Sequence, residues 1–214
     1  MNKKIGFIGC GNMGSAIVGG LINSGFAQAS DIIVSTKTEQ SANKLKENLK
    51  INVASDNKEV AKNADVLFLA VKPNMYKKVI DEIKSVLSKD KVIVTIAAGV
   101  TIKNMEEWLG DDFKIVRTMP NTPALVGEAM SAVCHNDNVS EEELNYVYKI
   151  FESFGEYVSL EENDFDGFVA LCGSSPAYVF MFIEAMADGA VKLGIPRVKA
   201  YKMAAQSVLG SAKM

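Results

Sequence analysis

The stretch from Lys4 to Gly20 constrains the fold more than any other. Ile5, Phe7 and Ile8 read as a short buried strand, and Gly9-Cys10-Gly11-Asn12-Met13-Gly14 as a tight glycine-rich turn. Ser15-Ala16-Ile17-Val18 then opens a helix that runs to about Gly25. In such a strand–turn–helix, Gly9 allows the sharp turn and Gly11 lets the backbone approach a pyrophosphate. Gly14 lets helix and strand pack closely. The free N–H groups and the dipole at the helix start attract phosphate, so Ile8 to Gly14 form a candidate dinucleotide cradle. The glycine spacing alone is a weak signal, and a purely structural turn is the bland alternative. The strand before it, the helix after it and its place at the N-terminus favour the cradle.

At 214 residues the chain has room for one large domain or two small ones. Lys plus Arg number 23 and Asp plus Glu 26, a net charge of −3 with no basic block. This balance argues against nucleic acid or an acidic membrane as partner. No apolar run reads as long enough to span a membrane, and the residues after Lys3-Lys4 are too Gly-rich for a signal-peptide core. Cys10, Cys134 and Cys172 are far apart and odd in number. They have no metal-ligand spacing and suit a reducing compartment, of which the cytoplasm is the simplest.

Asp31 to Ser35 reads as a second strand, and the residues at its end bear on the choice of dinucleotide. NAD sites usually place Asp or Glu about 20 residues past the glycine turn, on the ribose 2′-hydroxyl. Here Ser35-Thr36-Lys37 stand instead, two hydroxyls and an ammonium that suit a 2′-phosphate. One charge-assisted hydrogen bond from Lys37 favours NADP by about tenfold to a hundredfold, although Glu39 close by works against it. NADP(H) is therefore expected ahead of NAD(H), with an ordinary solvated lysine as the alternative.

Further along, Glu39–Leu49 reads as an amphipathic helix, and Asn57 to Ala61 starts a short one. Val66 to Val71 is a near-continuous apolar run, as in a central parallel strand, stopped by Lys72-Pro73. Met75–Leu87 reads as a helix, and Val92–Ile96 as a buried strand that ends in Ala97-Ala98-Gly99. Ile102–Leu109 is helical. Lys114–Met119 is a strand closed by the stiff loop Pro120-Asn121-Thr122-Pro123. Ala129–Cys134 fits an antiparallel strand. Ser140-Glu141-Glu142-Glu143 caps a helix reaching Phe154, and Glu156–Leu160 is a last strand. This alternation predicts an α/β, Rossmann-type doubly wound sheet over residues 1–160. The composition changes over residues 161–214. Phe165–Leu171 looks helical, Gly173-Ser174-Ser175 interrupts, and Ala177–Leu193 and the segment from Pro196 to Lys213 are helices with broad apolar faces. Such faces need a partner surface: a second subunit, or the chain's own sheet.

Taken together, these motifs resemble the pyrroline-5-carboxylate reductase family from Lys4 to Met214. The resemblance is carried by Phe7 to Gly14, Ala70-Val71-Lys72-Pro73, Ala97-Ala98-Gly99-Val100, Arg117 to Pro123, Gly173 to Phe180, Lys192 to Arg197, and Ala204 through Ala212. It implies a Rossmann domain followed by an all-helical dimerisation domain, in a homodimer or dimer-based oligomer. It implies cofactor contacts from the glycine turn, from Ser35, Thr36, Lys37 and Asn57, and from Ala70 to Pro73 and Ala97, Ala98 and Gly99. Two residues depart from the usual Ser-Gly-Ser-Gly-Pro-Ala-Tyr: Cys172 for the first serine and Ser175 for the second glycine. Family members continue with a Ser-Pro-Gly-Gly-Thr-Thr segment that helps hold the substrate carboxylate. None follows Met214, so the sequence reads as truncated.

The implied activity is reduction of the C=N bond of 1-pyrroline-5-carboxylate to L-proline by hydride from NAD(P)H. An iminium can take its proton from water, so no histidine or carboxylate pair is required, and the single histidine, His135, reads as structural. Lys72, Asn121, Thr122 and Ser174 are the candidates to orient nicotinamide or substrate. No metal is expected. Two alternatives remain open. One is a 3-hydroxyacid dehydrogenase-type enzyme, for which Lys192 is poorly placed; the other is a catalytically impaired cofactor-binding homologue.

Overall fold

The structure is a computed structural model that describes residues 3–214. Four strands, buried throughout except at Ile33, set its centre. They are β1 (Ile5–Ile8), β2 (Ile32–Ser35), β4 (Val66–Leu69) and β5 (Val92–Thr95), with the two-residue β3 (Asn52–Val53) beside β2. The sheet order is β3-β2-β1-β4-β5-β6-β7-β8, with β6 Lys114–Pro120, β7 Ala129–His135 and β8 Gly155–Ser159. β1 to β6 run parallel; β7 pairs antiparallel with β6, as the sequence suggests, and β8 runs parallel to β7.

Helices cover both faces, as a parallel sheet requires. Side chains alternate along each strand, so neighbours serve opposite layers. Phe7, Phe68, Val94 and Val116 join one core with α1 (Asn12–Asn23), α2 (Glu39–Leu49) and α6 (Glu141–Glu152). Ile8, Leu67, Ile93 and Ile115 join the other with α3 (Asn57–Asn63), α4 (Tyr76–Ile83) and α5 (Ile102–Leu109). Boundaries follow local chemistry. Thr38, Asp56, Thr101 and Ser140 accept from backbone N–H groups at the starts of α2, α3, α5 and α6. Some expected spans shorten. Ala29–Asp31 is a 3₁₀ turn ahead of β2, β4 stops at Leu69, and α4 is flanked by the 3₁₀ turns Pro73–Met75 and Lys84–Val86. α1 begins at Asn12, earlier than expected, and α6 ends at Glu152.

Two compact units are present, one through Asp166 and one from Gly167 to Met214. The division falls beyond Leu160 because the next residues are held on the sheet. Glu162 Oε1 accepts from Arg117 Nη1 at 2.9 Å and from the Ile102 N–H at 2.7 Å, and the Arg117 guanidinium lies 4.4 Å over the Phe165 ring.

The second unit corrects two expectations. Gly173-Ser174-Ser175 does not interrupt the helix. α7 (Phe165–Phe168) passes through a π turn at Val169–Gly173 into α8 (Ser175–Lys192). The Ser174 N–H donates to the Val169 carbonyl at 3.0 Å, a five-residue step that absorbs the turn. Pro176 has no N–H to give the Cys172 carbonyl, and the Ser175 hydroxyl reaches that oxygen at 3.3 Å. With no break, Glu162–Lys192 becomes a 31-residue helix that is long and apolar enough to cross a membrane by length and composition, contrary to the expectation. Within this unit, Ala187 packs against Ala200 and Ala204 of α9 (Arg197–Lys213), and Arg197 pairs with Asp188. Phe180 and Met181, 68% and 66% exposed, point away from that seam.

Phe68 is fully buried, stacked 4.7 Å from Phe7 and tilted 6.3 Å from Phe151. Phe68→Ala should cost about 3–5 kcal/mol. Chemical denaturation should show a lower midpoint at unchanged slope; an unchanged midpoint would deny Phe68 this central place.

Candidate active site

Open α/β sheets bind ligands at the carboxyl ends of the strands, where strand order reverses. Here the reversal lies between β1 and β4, and the strand ends are aligned: Ile8 pairs with Ser35 and with Leu69, and Leu69 with Thr95. The loops that follow therefore meet at one edge. Gly9 has φ +80°, and a Cβ there would stand 2.7 Å from Val71 Cγ1 and 2.9 Å from the Ala70 carbonyl oxygen. Only glycine fits this turn. A Cβ on Gly11, by contrast, would meet nothing within 4 Å, which is open room for a ligand. Gly14 packs close, its would-be Cβ 3.4 Å from Ala70 Cβ and from the Gly9 carbonyl oxygen. Gly11 caps α1 without any side-chain hydrogen bond, so the helix start presents its N–H groups outward. A cleft of about 410 Å³ opens beside this turn, lined by Cys10, Gly11, Asn12, Ser15, Lys44 and Leu125, among others. An open glycine and an uncapped helix N-terminus fit a dinucleotide pyrophosphate.

Other expected residues lie along the same edge. Lys37 is exposed just past β2, and the Thr36 hydroxyl donates to the Thr38 carbonyl. Ser35 is not an open hydroxyl: it is 2% exposed, and its Oγ donates to Asn57 Oδ1 at 2.7 Å. Ile8 is fully buried, so only its backbone borders the turn. Lys72 and Pro73 are exposed after β4, and Ala97 is buried while Ala98 and Gly99 are exposed after β5. β6 runs on past its Thr95–Arg117 pairing to Pro120, which carries Asn121 and Thr122 beyond the line of the other strand ends. Asn121 is buried, and its Oδ1 accepts from the Met130 N–H at 2.9 Å, holding the loop against β7; Thr122 is exposed. Ser174 belongs to the second unit, at the end of the π turn, where its hydroxyl donates to the Val169 carbonyl. His135 pairs with Val116, away from Asn121, and is exposed. Among the described residues no cluster of His, Cys, Asp or Glu could hold a metal.

Buried hydroxyls that sequence reading passed over hold the loops. Tyr76 Oη donates to the Leu69 carbonyl, Thr95 Oγ1 donates to Tyr76 Oη at 3.0 Å, and Thr118 Oγ1 donates to the Thr95 carbonyl at 2.9 Å. The chain of bonds ties the ends of β4, β5 and β6 together beneath the exposed loops. Burial raises the Tyr76 phenol from its ordinary 10.0 to about 12, partly opposed by its hydrogen bond with Thr95. No sequence signal marks Tyr76, because its partners are distant in the chain.

The neutral phenol favours the folded state below pH 10, and this contribution fades as pH rises toward about 12. Tyr76→Phe should therefore shrink the fall in unfolding stability across that window, while costing about 1–3 kcal/mol at neutral pH through the unpaired Leu69 carbonyl. An identical alkaline profile in the variant would contradict the burial.

Comparison with known proteins agrees with this geometry. Residues 4–99 match the family described as NADP oxidoreductase, coenzyme F420-dependent, and residues 162–214 match pyrroline-5-carboxylate reductase dimerisation. The pyrroline-5-carboxylate reductase of Escherichia coli (strain K12) is 53% identical over 214 residues, all of this chain and 80% of that protein. A solved pyrroline-5-carboxylate reductase from Coxiella burnetii superposes with a TM-score of 0.95 at 36% identity, covering 100% of this chain and 80% of that one. The Plasmodium falciparum pyrroline carboxylate reductase, solved with NADP bound, gives a TM-score of 0.90 at 37% identity and covers 100% of this chain and 78% of that one. With both units matched and identity this high over the whole chain, the protein belongs to the pyrroline-5-carboxylate reductase family.

Proposed function

We propose that this chain reduces 1-pyrroline-5-carboxylate to L-proline with NADPH, NADH serving as a second donor. The observation that carries the reading is the carboxyl edge, where an open glycine and an uncapped helix start lie beside the loops that follow the aligned ends of β2, β4 and β5. The nicotinamide, when bound, supplies the hydride for the C=N carbon. The chain's part is to bind and orient two planar groups. Ile8 to Gly14 offer backbone N–H groups to the pyrophosphate, and Lys37 and Thr36 stand where the strand end of β2 meets the adenosine ribose. Ala70 to Pro73 and Ala97 to Gly99 form low walls, with small or exposed residues that leave room for a flat ring. Lys72, Asn121 and Thr122 lie along or beyond that edge as partners for the substrate anion and the nicotinamide amide. Ser174, on the second unit, is assigned to the substrate on the strength of its family motif alone. The iminium nitrogen draws its proton from water.

Exposed Tyr178, Phe180, Met181 and Phe182 on α8, with Met203 and Leu209 on α9, give a surface too apolar to stay bare in water. It suits a second copy of the chain, consistent with the dimerisation family it matches. This reading accounts for the apolar length of Glu162–Lys192 without a membrane. Three free cysteines suit the cytoplasm.

Loss of NADPH absorbance with 1-pyrroline-5-carboxylate tests the activity. We expect turnover with the imine and none with hydroxyacids; the reverse would overturn the reading. In the same assay Lys37→Ala should raise KM for NADPH about tenfold and leave that for NADH within about twofold. Equal effects on both would remove Lys37 from the 2′-phosphate position.

A further inference from the structure

We propose that Glu82 is a specificity-determining residue, its carboxylate standing at the adenosine end of the site and favouring a free ribose 2′-hydroxyl over a 2′-phosphate. The inference rests on the dinucleotide reading above. The end of β2 carries Ser35, Thr36 and Lys37 with no acidic residue, which taken alone points to NADP. The fold brings a carboxylate to this corner from another element. Ser35 Oγ donates to Asn57 Oδ1 at 2.7 Å, and Asn57 Nδ2 donates to Glu82 Oε2 at 2.9 Å. Ser35 is buried at the strand end, Asn57 opens α3, and Glu82 is exposed near the end of α4. These two bonds also fix the amide: Oδ1 must face the hydroxyl, and Nδ2 must face the carboxylate.

Glu82 Oε1 has no partner among the described residues, so the side chain keeps an acceptor and a full charge for whatever enters beside Asn57. A carboxylate accepts a hydrogen bond from a 2′-hydroxyl, the task that NAD sites usually give to an acid after the second strand. The same carboxylate repels a phosphate dianion. Lys37 and Glu82 thus act in opposite directions, and the preference between the two cofactors reflects their difference. This assigns Glu82 a role that its position in the sequence does not announce, since it lies on a different helix from every motif residue.

Titration of the full chain with NADPH and with NADH, followed by nicotinamide fluorescence, tests the assignment. Glu82→Gln keeps an acceptor for Asn57 and removes the charge; Glu82→Ala removes both. Both substitutions should shift the ratio of dissociation constants toward NADPH by about threefold to tenfold. A residue that merely holds Asn57 would behave otherwise: the ratio would stay unchanged in Glu82→Gln, and Glu82→Ala would weaken both cofactors equally. That pattern overturns the proposal and leaves the dinucleotide site standing. Failure of the unsubstituted chain to bind either cofactor would overturn the site itself, and the proposal with it.

Discussion

Two backbone hydrogen bonds just past β1 hold the functional edge together. The Gly9 N–H donates to the Ser35 carbonyl at 3.0 Å, and the Ala70 N–H donates to the Ile8 carbonyl at 2.9 Å. They carry the sheet ladders one step beyond the strands, so the glycine turn, the end of β2 and the Ala70–Pro73 loop share one fixed origin. The steric consequence follows: Val71 and Ala70 close in on Gly9 until no Cβ fits. The chemical consequence is that α1 starts just past Gly11 with no side chain capping its first N–H groups. Buried hydroxyls of Tyr76, Thr95 and Thr118 brace the same edge from below. Preorganised backbone and buried bonds thus brace an edge on which Lys37, Lys72 and Thr122 stand exposed.

The second unit obeys a different constraint. Ala187, Ala200 and Ala204 let α8 and α9 approach closely, which buries small side chains and leaves the large ones outside. A pair of helices with its bulky apolar residues exposed is incomplete as a folding unit. The match to a dimerisation family explains that incompleteness. The π turn at Val169–Gly173 lets the helix pass Pro176, and Ser175, where the family usually has glycine, supplies a hydroxyl to the Cys172 carbonyl.

Much of the fold is legible in the sequence, for identifiable reasons. β4 and β5 announce themselves as apolar runs because both their faces are covered. α2 and α5 keep their expected bounds because Thr38 and Thr101 cap them. The glycine turn is legible because each glycine answers a separate steric demand. Other features depend on contacts distant in the chain. Ser35 looks like an open hydroxyl until Asn57 is seen to occupy it. Tyr76 and Glu82 carry no motif, and their partners lie at Leu69, Thr95 and Asn57. Gly173-Ser174-Ser175 reads as a break because propensity counts residues singly, whereas the π turn and the Ser175 hydroxyl compensate locally.

The account turns on which edge of the sheet receives the dinucleotide. A larger cleft, about 640 Å³, lies at the opposite, amino edge, lined by Lys4, Ser30, Asp31, Lys46 and Asn52 among others. Among the described residues that line it there is neither a glycine nor a helix start. Amide hydrogen exchange with and without NADPH distinguishes the two. The account predicts new protection over Gly9 to Gly14, Thr36 and Lys37, Ala70 to Lys72, and Ala97 to Gly99. Protection confined to Ser30, Asp31, Asn52 and their neighbours at the amino edge would contradict it.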